Sequence, residues 1–370
     1  MIHLINMPFG QITYPSLALG LIKAQLNRAK LDSKIFYLNF DLAASMGFEP
    51  YSKISLANVQ IGEWLFAGDA WKNHPPLISL EDFLQLYDLK LPQDLKQREK
   101  LLALQKVRSN IIPGFLAESL EQLESAGKLQ IIGFSCTYFQ TLSSLALGRL
   151  IKEKYPDTKL VYGGAAFHGE MGVELIEKCE WIDVVSVGEI DDIVVELFQS
   201  LAKKELPIGL QGIFYRNQAG KVCHEKPGSP VSQEIFEALP VPDFTDFFKA
   251  VSKFGLSNDA EWQRRAVIPF ETSRGCWWGQ KKQCRFCGLN GNNIGYRKKS
   301  AEQVCHNLAQ HFHKYPVRSF YATDNNLAMS AFDDIIPELT KNHLIRMWNY
   351  FFLSNQIRAE NRSKLWLRQV

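Results

Sequence analysis

Seven cysteines occur in the 370 residues, and three of them, Cys276, Cys284 and Cys287, fall within twelve residues. They sit in the run Glu271-Thr272-Ser273-Arg274-Gly275-Cys276-Trp277-Trp278-Gly279-Gln280-Lys281-Lys282-Gln283-Cys284-Arg285-Phe286-Cys287-Gly288. Thiolates this close on a glycine-containing loop bind either zinc or an iron–sulfur cluster. A structural zinc site takes four ligands, so zinc would need a fourth from Cys305 or His306. A cubane cluster held by three cysteines instead keeps one iron open for a substrate or cofactor. The seven-and-two spacing alone supports the two about equally. The other four cysteines are scattered. An odd total with one tight group suits a metal site in a reducing cytoplasm better than a disulfide frame.

The elements around the loop predict what holds it. A strand begins at Val267 and leads into the cysteines. A helix over Ser300–His313 opens with Ser300 and Gln303 in capping-box spacing. Strand Ser319–Thr323, helix Ala331–Lys341 and strand Met347–Phe352 follow. Upstream, strand Ile2–Met7, a helix through Leu17, Leu21 and Ala24, and strand Lys34–Leu38 open the chain. A polar-rich helical stretch over 42–128 interrupts that rhythm. It resumes with strand Gln130–Cys136, helix Thr141–Tyr155, strand Lys159–Gly164, a helix over Glu170–Lys178, strand Asp183–Glu189 and helix Asp191–Lys203. Apolar strands alternating with helices predict an α/β fold with a doubly wound parallel sheet. The predicted domains are therefore a Rossmann-like unit over 1–205 with a helical insertion at 42–128, a connector over 206–262 carrying a hairpin around Asn217–Gly220, and a second α/β unit over 263–370.

The cysteine run carries a resemblance. Thr272-Ser273-Arg274-Gly275-Cys276-Trp277-Trp278-Gly279, Cys284-Arg285-Phe286-Cys287-Gly288-Leu289-Asn290-Gly291 and Tyr296-Arg297-Lys298-Lys299-Ser300 resemble the cluster loop of the cobalamin-dependent radical SAM enzymes that mature ribosomally made peptides, the RiPP-maturation C-methyltransferases. Ile61-Gly62-Glu63-Trp64-Leu65-Phe66, Gly133-Phe134-Ser135, Gly163-Gly164 and Val187-Gly188-Glu189 extend it upstream. The first gap of seven is longer than the three usual among radical SAM loops. The resemblance and the flanking βα pattern favour the cluster over zinc. It implies a 4Fe-4S cluster on Cys276, Cys284 and Cys287, with S-adenosyl-L-methionine (SAM) chelating the open iron. It also implies Phe286 near the adenine and Asp324-Asn325 facing SAM, ahead of the alternative that the pair forms a turn or helix cap. Trp277 and Trp278 are as suited to packing the loop as to meeting substrate; Arg274 and Arg297 are candidates to meet a carboxylate or phosphate, with a solvated surface position as the common default.

A doubly wound sheet takes ligands beyond the carboxyl ends of its strands. Those ends carry Pro8-Phe9-Gly10, Ser135–Gln140, Gly163-Gly164-Ala165 and Gly188-Glu189. Each alone is an ordinary turn. With the resemblance, Ser135, Thr137, Gln140, Gly163, Gly164, Gly188 and Glu189 are expected to contact cobalamin. The Asp-x-His-x-x-Gly signature for a cobalt-ligating histidine is absent, and His168 stands in another context. In this class cobalamin carries a methyl group from SAM to a substrate carbon radical. The implied partners are a precursor peptide and an electron donor such as flavodoxin or ferredoxin.

Composition excludes several alternatives. A net charge of +3 shows no basic stripe for nucleic acid, and 46% hydrophobic with 22% charged residues suits globular domains. The start lacks the pattern of a signal peptide, and no apolar run reaches membrane-spanning length. A radical SAM barrel has about six βα units, whereas barely three strands follow Val267, and the tail Leu353–Val370 does not continue the resemblance. The expectation is an incomplete (β/α) barrel, from a shifted frame or fragmented gene, with impaired catalysis. A cobalamin-binding remnant and a zinc-stabilised binding module are the two other readings.

Overall fold

Two buried pentapeptides start the sheet. In this computed structural model, which describes residues 1–56, 60–72, 78–86, 95–137, 139–224, 226, 228–282, 284–285, 287, 294–342 and 348–349, β1 (Ile2–Asn6) pairs in parallel with β2 (Ser33–Tyr37), from Ile2 opposite Ser33 to Asn6 opposite Tyr37. Helix α1 (Leu17–Arg28) joins them. Six α-helices then intervene among the described residues: α2 (Leu38–Met46), α3 (Phe48–Ser55), α4 (Ile61–Ala70), α5 (Leu80–Gln85), α6 (Leu95–Lys106) and α7 (Ile112–Ser125). Strand β3 (Ile131–Ser135) returns to the other side of β1, with Ile2 opposite Ile131. Helix α8 (Thr141–Lys154), β4 (Lys159–Gly163), α9 (Glu170–Lys178), β5 (Val184–Ser186) and α10 (Val194–Ala202) complete the parallel part. Its strands are buried almost throughout, as expected of parallel strands covered on both faces.

The segment expected to be a connector is divided between two compact units. Strands β6 (Ile213–Arg216) and β7 (Val222–His224) form the expected hairpin, and it extends the sheet antiparallel, giving the order β2-β1-β3-β4-β5-β6-β7. The first unit holds Met1–Ile12, Ala18–Gly228 and Asp243–Phe254; the second holds Thr13–Leu17, Ser229–Pro242 and Gly255–Val370. In the second lies α11 (Gln233–Glu237); in the first, α12 (Thr245–Lys253) packs against β2. There Phe247 meets Tyr37 and Phe40 edge-on, at 5.2 and 5.5 Å between ring centres. Asp246, buried, takes the Lys23 ammonium and the Ile35 N–H (3.0 Å). No local signal in the sequence announced this long-range return.

The second unit has its own parallel sheet, order β12-β11-β8. After α13 (Ala260–Arg265) come β8 (Ile268–Phe270), the two-residue β9 (Ser273–Arg274), α14 (Trp277–Lys281) and β10 (Arg297–Lys298), antiparallel to β9. Helix α15 (Ala301–Lys314), β11 (Phe320–Ala322), α16 (Ile335–Lys341) and β12 (Trp348–Asn349) follow. Ser300 caps α15 as predicted, accepting the Gln303 N–H at 3.1 Å. The rest of the expected strand to Phe352 and the tail Leu353–Val370 lie outside the described residues. Among those residues no helix is long and apolar enough to cross a membrane.

Candidate functional site

The first arm of the cysteine loop is tied down by its own backbone. Leaving β8, Glu271, Thr272 and Ser273 are buried. Gly275 has φ +77°, and a Cβ there would lie 2.2 Å from the Gly295 carbonyl oxygen, so the turn demands glycine. Cys276 donates its N–H to the Ile294 carbonyl at 3.2 Å, and its Sγ accepts the Gly279 N–H at 3.2 Å. Cys287 donates its N–H to the Cys284 carbonyl at 3.2 Å, closing a turn. All three cysteines are half-buried free thiols. They are not gathered around a point: among the described residues no three Cys, His, Asp or Glu side chains form a metal-holding group. The fit to a cluster is therefore one of donor chemistry, three unpaired thiols on one loop.

The candidate fourth zinc ligands do not join them among the described residues. Cys305 is buried on α15, and burial with the nearby Glu338 carboxylate pushes its thiol up to about 11. His306 is exposed on the same helix.

A charge cluster underlies the arm. The Glu271 carboxylate accepts two bonds from Arg274 (2.9 and 3.0 Å) and faces Lys299 at 3.4 Å. Burial would raise this carboxyl, but the two cations outweigh it and hold it below its ordinary value. Both cations also lie over the Phe236 ring, at 5.1 and 4.9 Å from its centre. Arg274 and Arg297 are thus not solvated surface groups: Arg297 is buried and donates to the Val231 and Gly295 carbonyls.

Asp324 and Asn325, expected to face SAM, are bonded to the cysteine arm. Buried Asp324 accepts the Thr272 N–H (3.1 Å), the Thr272 hydroxyl (2.8 Å) and the Ser273 hydroxyl (2.6 Å). Asn325 donates to the Gly275 carbonyl at 3.3 Å. Trp277 packs the loop, its indole N–H on the Leu327 carbonyl at 3.1 Å, whereas Trp278 is exposed. Phe286 lies outside the described residues.

In the first unit the strand order reverses between β1 and β3, the place where doubly wound sheets open a crevice. Here the protein's own groups fill it. Gln140, expected to hold a ligand's amides, is buried with its amide fully engaged. Its oxygen accepts the Thr137 N–H and hydroxyl (3.1 and 2.9 Å), and its nitrogen donates to Asn6 Oδ1 and the Met7 carbonyl (3.0 and 2.6 Å). Ser143 donates to the Pro8 carbonyl, and Phe9 stacks on Tyr51 at 5.0 Å.

The open part of the carboxyl edge belongs to β3, β4 and β5. Ser135 pairs with Gly163 in register, Thr137 and Gly164 are exposed, and Gly188 and Glu189 are half-buried. Gly164 has φ +98°, and a Cβ there would stand 2.5 Å from the Cys136 carbonyl oxygen. Bare backbone with a hydroxyl and a carboxylate on one edge fits a broad, amide-rich ligand.

Sequence reasoning did not assign Glu63 a role. Its carboxylate reaches from α4 to the N-terminus of α8 and accepts the N–H groups of Thr141 and Leu142 at 2.9 and 2.7 Å. Burial pushes this carboxyl from 4.5 to about 7, against the pull of those two bonds. The Gly62-Glu63-Trp64 pattern was its only trace.

No protein-family model matches the chain. Among curated proteins it is similar to the cobalamin-dependent radical SAM methyltransferase TokK of Streptomyces tokunonensis, 20% identical over 223 residues, covering 60% of this chain and 31% of TokK. Among solved structures it is similar to the cobalamin-dependent S-adenosylmethionine radical enzyme OxsB with aqua-cobalamin and S-adenosylmethionine bound. The TM-score is 0.55 at 17% identity, over 94% of this chain and 38% of OxsB. The radical S-adenosylmethionine methyltransferase TsrM from Kitasatospora setae, with cobalamin and a 4Fe-4S cluster bound, gives 0.51 at 13% identity, over 92% and 51%. The chain spans about a third to a half of the length of these relatives. It is distantly related to cobalamin-dependent radical SAM enzymes and shares their fold over the part it covers.

Proposed function

We propose that the chain works as a cobalamin-dependent radical SAM enzyme that methylates a carbon of a ribosomally synthesised precursor peptide in the cytoplasm, with reducing equivalents from a flavodoxin or ferredoxin. One observation supports this above the rest: three free thiols occupy a single loop leaving β8, in a chain with the fold of such enzymes. Cys276, Cys284 and Cys287 would hold the 4Fe-4S cluster. Ser135, Thr137, Gly163, Gly164, Gly188 and Glu189 would border the cobalamin, Gln140 acting behind them as a brace. When bound, these groups supply one-electron cleavage of SAM and methyl carriage. The chain's own part is to present thiols and backbone, and to hold the loop with Glu271, Arg274 and Lys299.

The test is anaerobic reconstitution with iron, sulfide and hydroxocobalamin, followed by metal analysis and assay of methyl transfer from SAM. About four irons with matching sulfide per chain are expected for one cubane, with one cobalt. A colourless protein loaded with zinc would overturn the reading.

A further inference from the structure

The segment after β11 is joined to the cysteine arm in step. Thr323 donates its N–H and hydroxyl to the Phe270 carbonyl at 2.9 and 3.1 Å. Asp324 binds Thr272 and Ser273, Asn325 binds Gly275, and the Leu327 carbonyl binds the Trp277 indole. Moving along one segment therefore moves along the other, from Phe270 to Trp277. Both chain neighbours of Cys276 are gripped, Gly275 through its carbonyl and Trp277 through its side chain. The Cys276 N–H is itself bonded to the Ile294 carbonyl. Cys284 and Cys287 are joined to each other, the Cys287 N–H donating to the Cys284 carbonyl at 3.2 Å.

We infer that Thr323–Leu327 is a strap that presets Cys276, and that Asp324 and Asn325 are positioning residues for this one thiol rather than contacts for a cofactor. The inference rests on the cluster reading above. The Asp324 carboxylate is buried among three protein donors, two of them hydroxyls of the arm. Such charge-assisted bonds hold a loop more firmly than neutral ones. Cys276 is then the fixed corner of the site. The strap acts on how long the metal stays, not on which residues bind it.

The experiment uses the full chain, anaerobically reconstituted, as wild type, Asp324→Ala, Asp324→Asn and Asn325→Ala. Two quantities are read: the rate of iron release to a chelator without SAM, and the change that SAM induces in the EPR spectrum of the reduced cluster. Release about tenfold faster is expected for Asp324→Ala, the scale of a lost bond to a buried charged group. Asp324→Asn, which keeps an acceptor oxygen, falls between it and wild type. Asn325→Ala, at an exposed position, gives a smaller acceleration in a chain that folds normally. The SAM-induced change persists in Asp324→Asn. Unchanged release in all three variants would overturn the inference, and unchanged release with loss of the SAM-induced change would make Asp324 a cofactor contact instead. Should wild type itself take zinc and no iron, the cluster reading falls first, visibly, and the inference with it.

Discussion

Lys299 and Glu271 form an ion pair at 3.4 Å with side chains only 2% and 8% exposed. Arg274 shares the same carboxylate, so one buried anion balances two cations beneath the cysteine arm. Removing that anion leaves uncompensated buried charge, which is far costlier than losing a surface bridge. Glu271→Gln should cost about 3–5 kcal/mol in the second unit, and Lys299→Met clearly less, because Arg274 still pairs. Urea unfolding followed by near-ultraviolet circular dichroism reads both. The carboxyl is held below its ordinary value, so its contribution is complete above the usual carboxylate range and disappears as pH falls through the lowered value.

Glu63 gives the opposite slope. Its folded-state value of about 7 lies above the ordinary 4.5, so the folded chain holds a proton there that the unfolded chain has lost. Stability from this group therefore declines as pH rises from about 4.5 to about 7, by up to about 3 kcal/mol, and is flat above. The difference in unfolding free energy between wild type and Glu63→Gln should shift against wild type over that interval. Taking the difference removes groups such as His3, which burial lowers to about 4 and which favours the opposite direction. A difference independent of pH would contradict the raised value.

Gly275 and Gly220 share a left-handed backbone, φ +77° and +76°, but only Gly275 is crowded. Alanine at Gly220 should cost about 1 kcal/mol, from backbone strain alone. At Gly275 the new methyl must displace the Gly295 carbonyl, and with it the antiparallel β9–β10 pair. Gly275→Ala should lose reconstituted iron, while Gly220→Ala retains it.

Much of this was legible in the residues. Ile131–Ser135 and Lys159–Gly163 read as buried strands because parallel strands covered on both faces are nearly continuous apolar runs. The cap at Ser300 was legible for the same kind of reason: its partner lies three residues away. What escaped was long-range. Asp246 pairs with Lys23 and caps the Ile35 N–H across more than two hundred residues, so its segment read as part of a connector. Gln140 has the chemistry to bind a ligand's amides, and only the folded chain shows that Asn6, Met7 and Thr137 already occupy it. Asp324 likewise carried the right charge for a ligand site, while its partners Thr272 and Ser273 lay fifty residues upstream.

The cysteines divide by surroundings. Cys276→Ser, Cys284→Ser and Cys287→Ser should each abolish stable iron binding, whereas Cys305→Ala should keep it and cost about 1 kcal/mol of packing. Cys305 is buried on α15, with Glu338 of α16 near it. Iron analysis after gel filtration distinguishes the two outcomes, and loss of metal from Cys305→Ala would return that residue to the ligand set.

The position of β1 between β2 and β3 has a consequence during synthesis. Ile2 needs Ile131 on one side, and β2 needs α12 near residue 250, before the hydrophobic faces of either strand are covered. At roughly 10 residues per second, β1 emerges about 13 s before β3, and β2 about 21 s before α12. Until β3 is made, α1 and the helices α2–α7 are what the ribosome has supplied beside these strands. The insertion that braces the finished sheet thus also stands beside its most exposed strands while the ribosome is still making their partners.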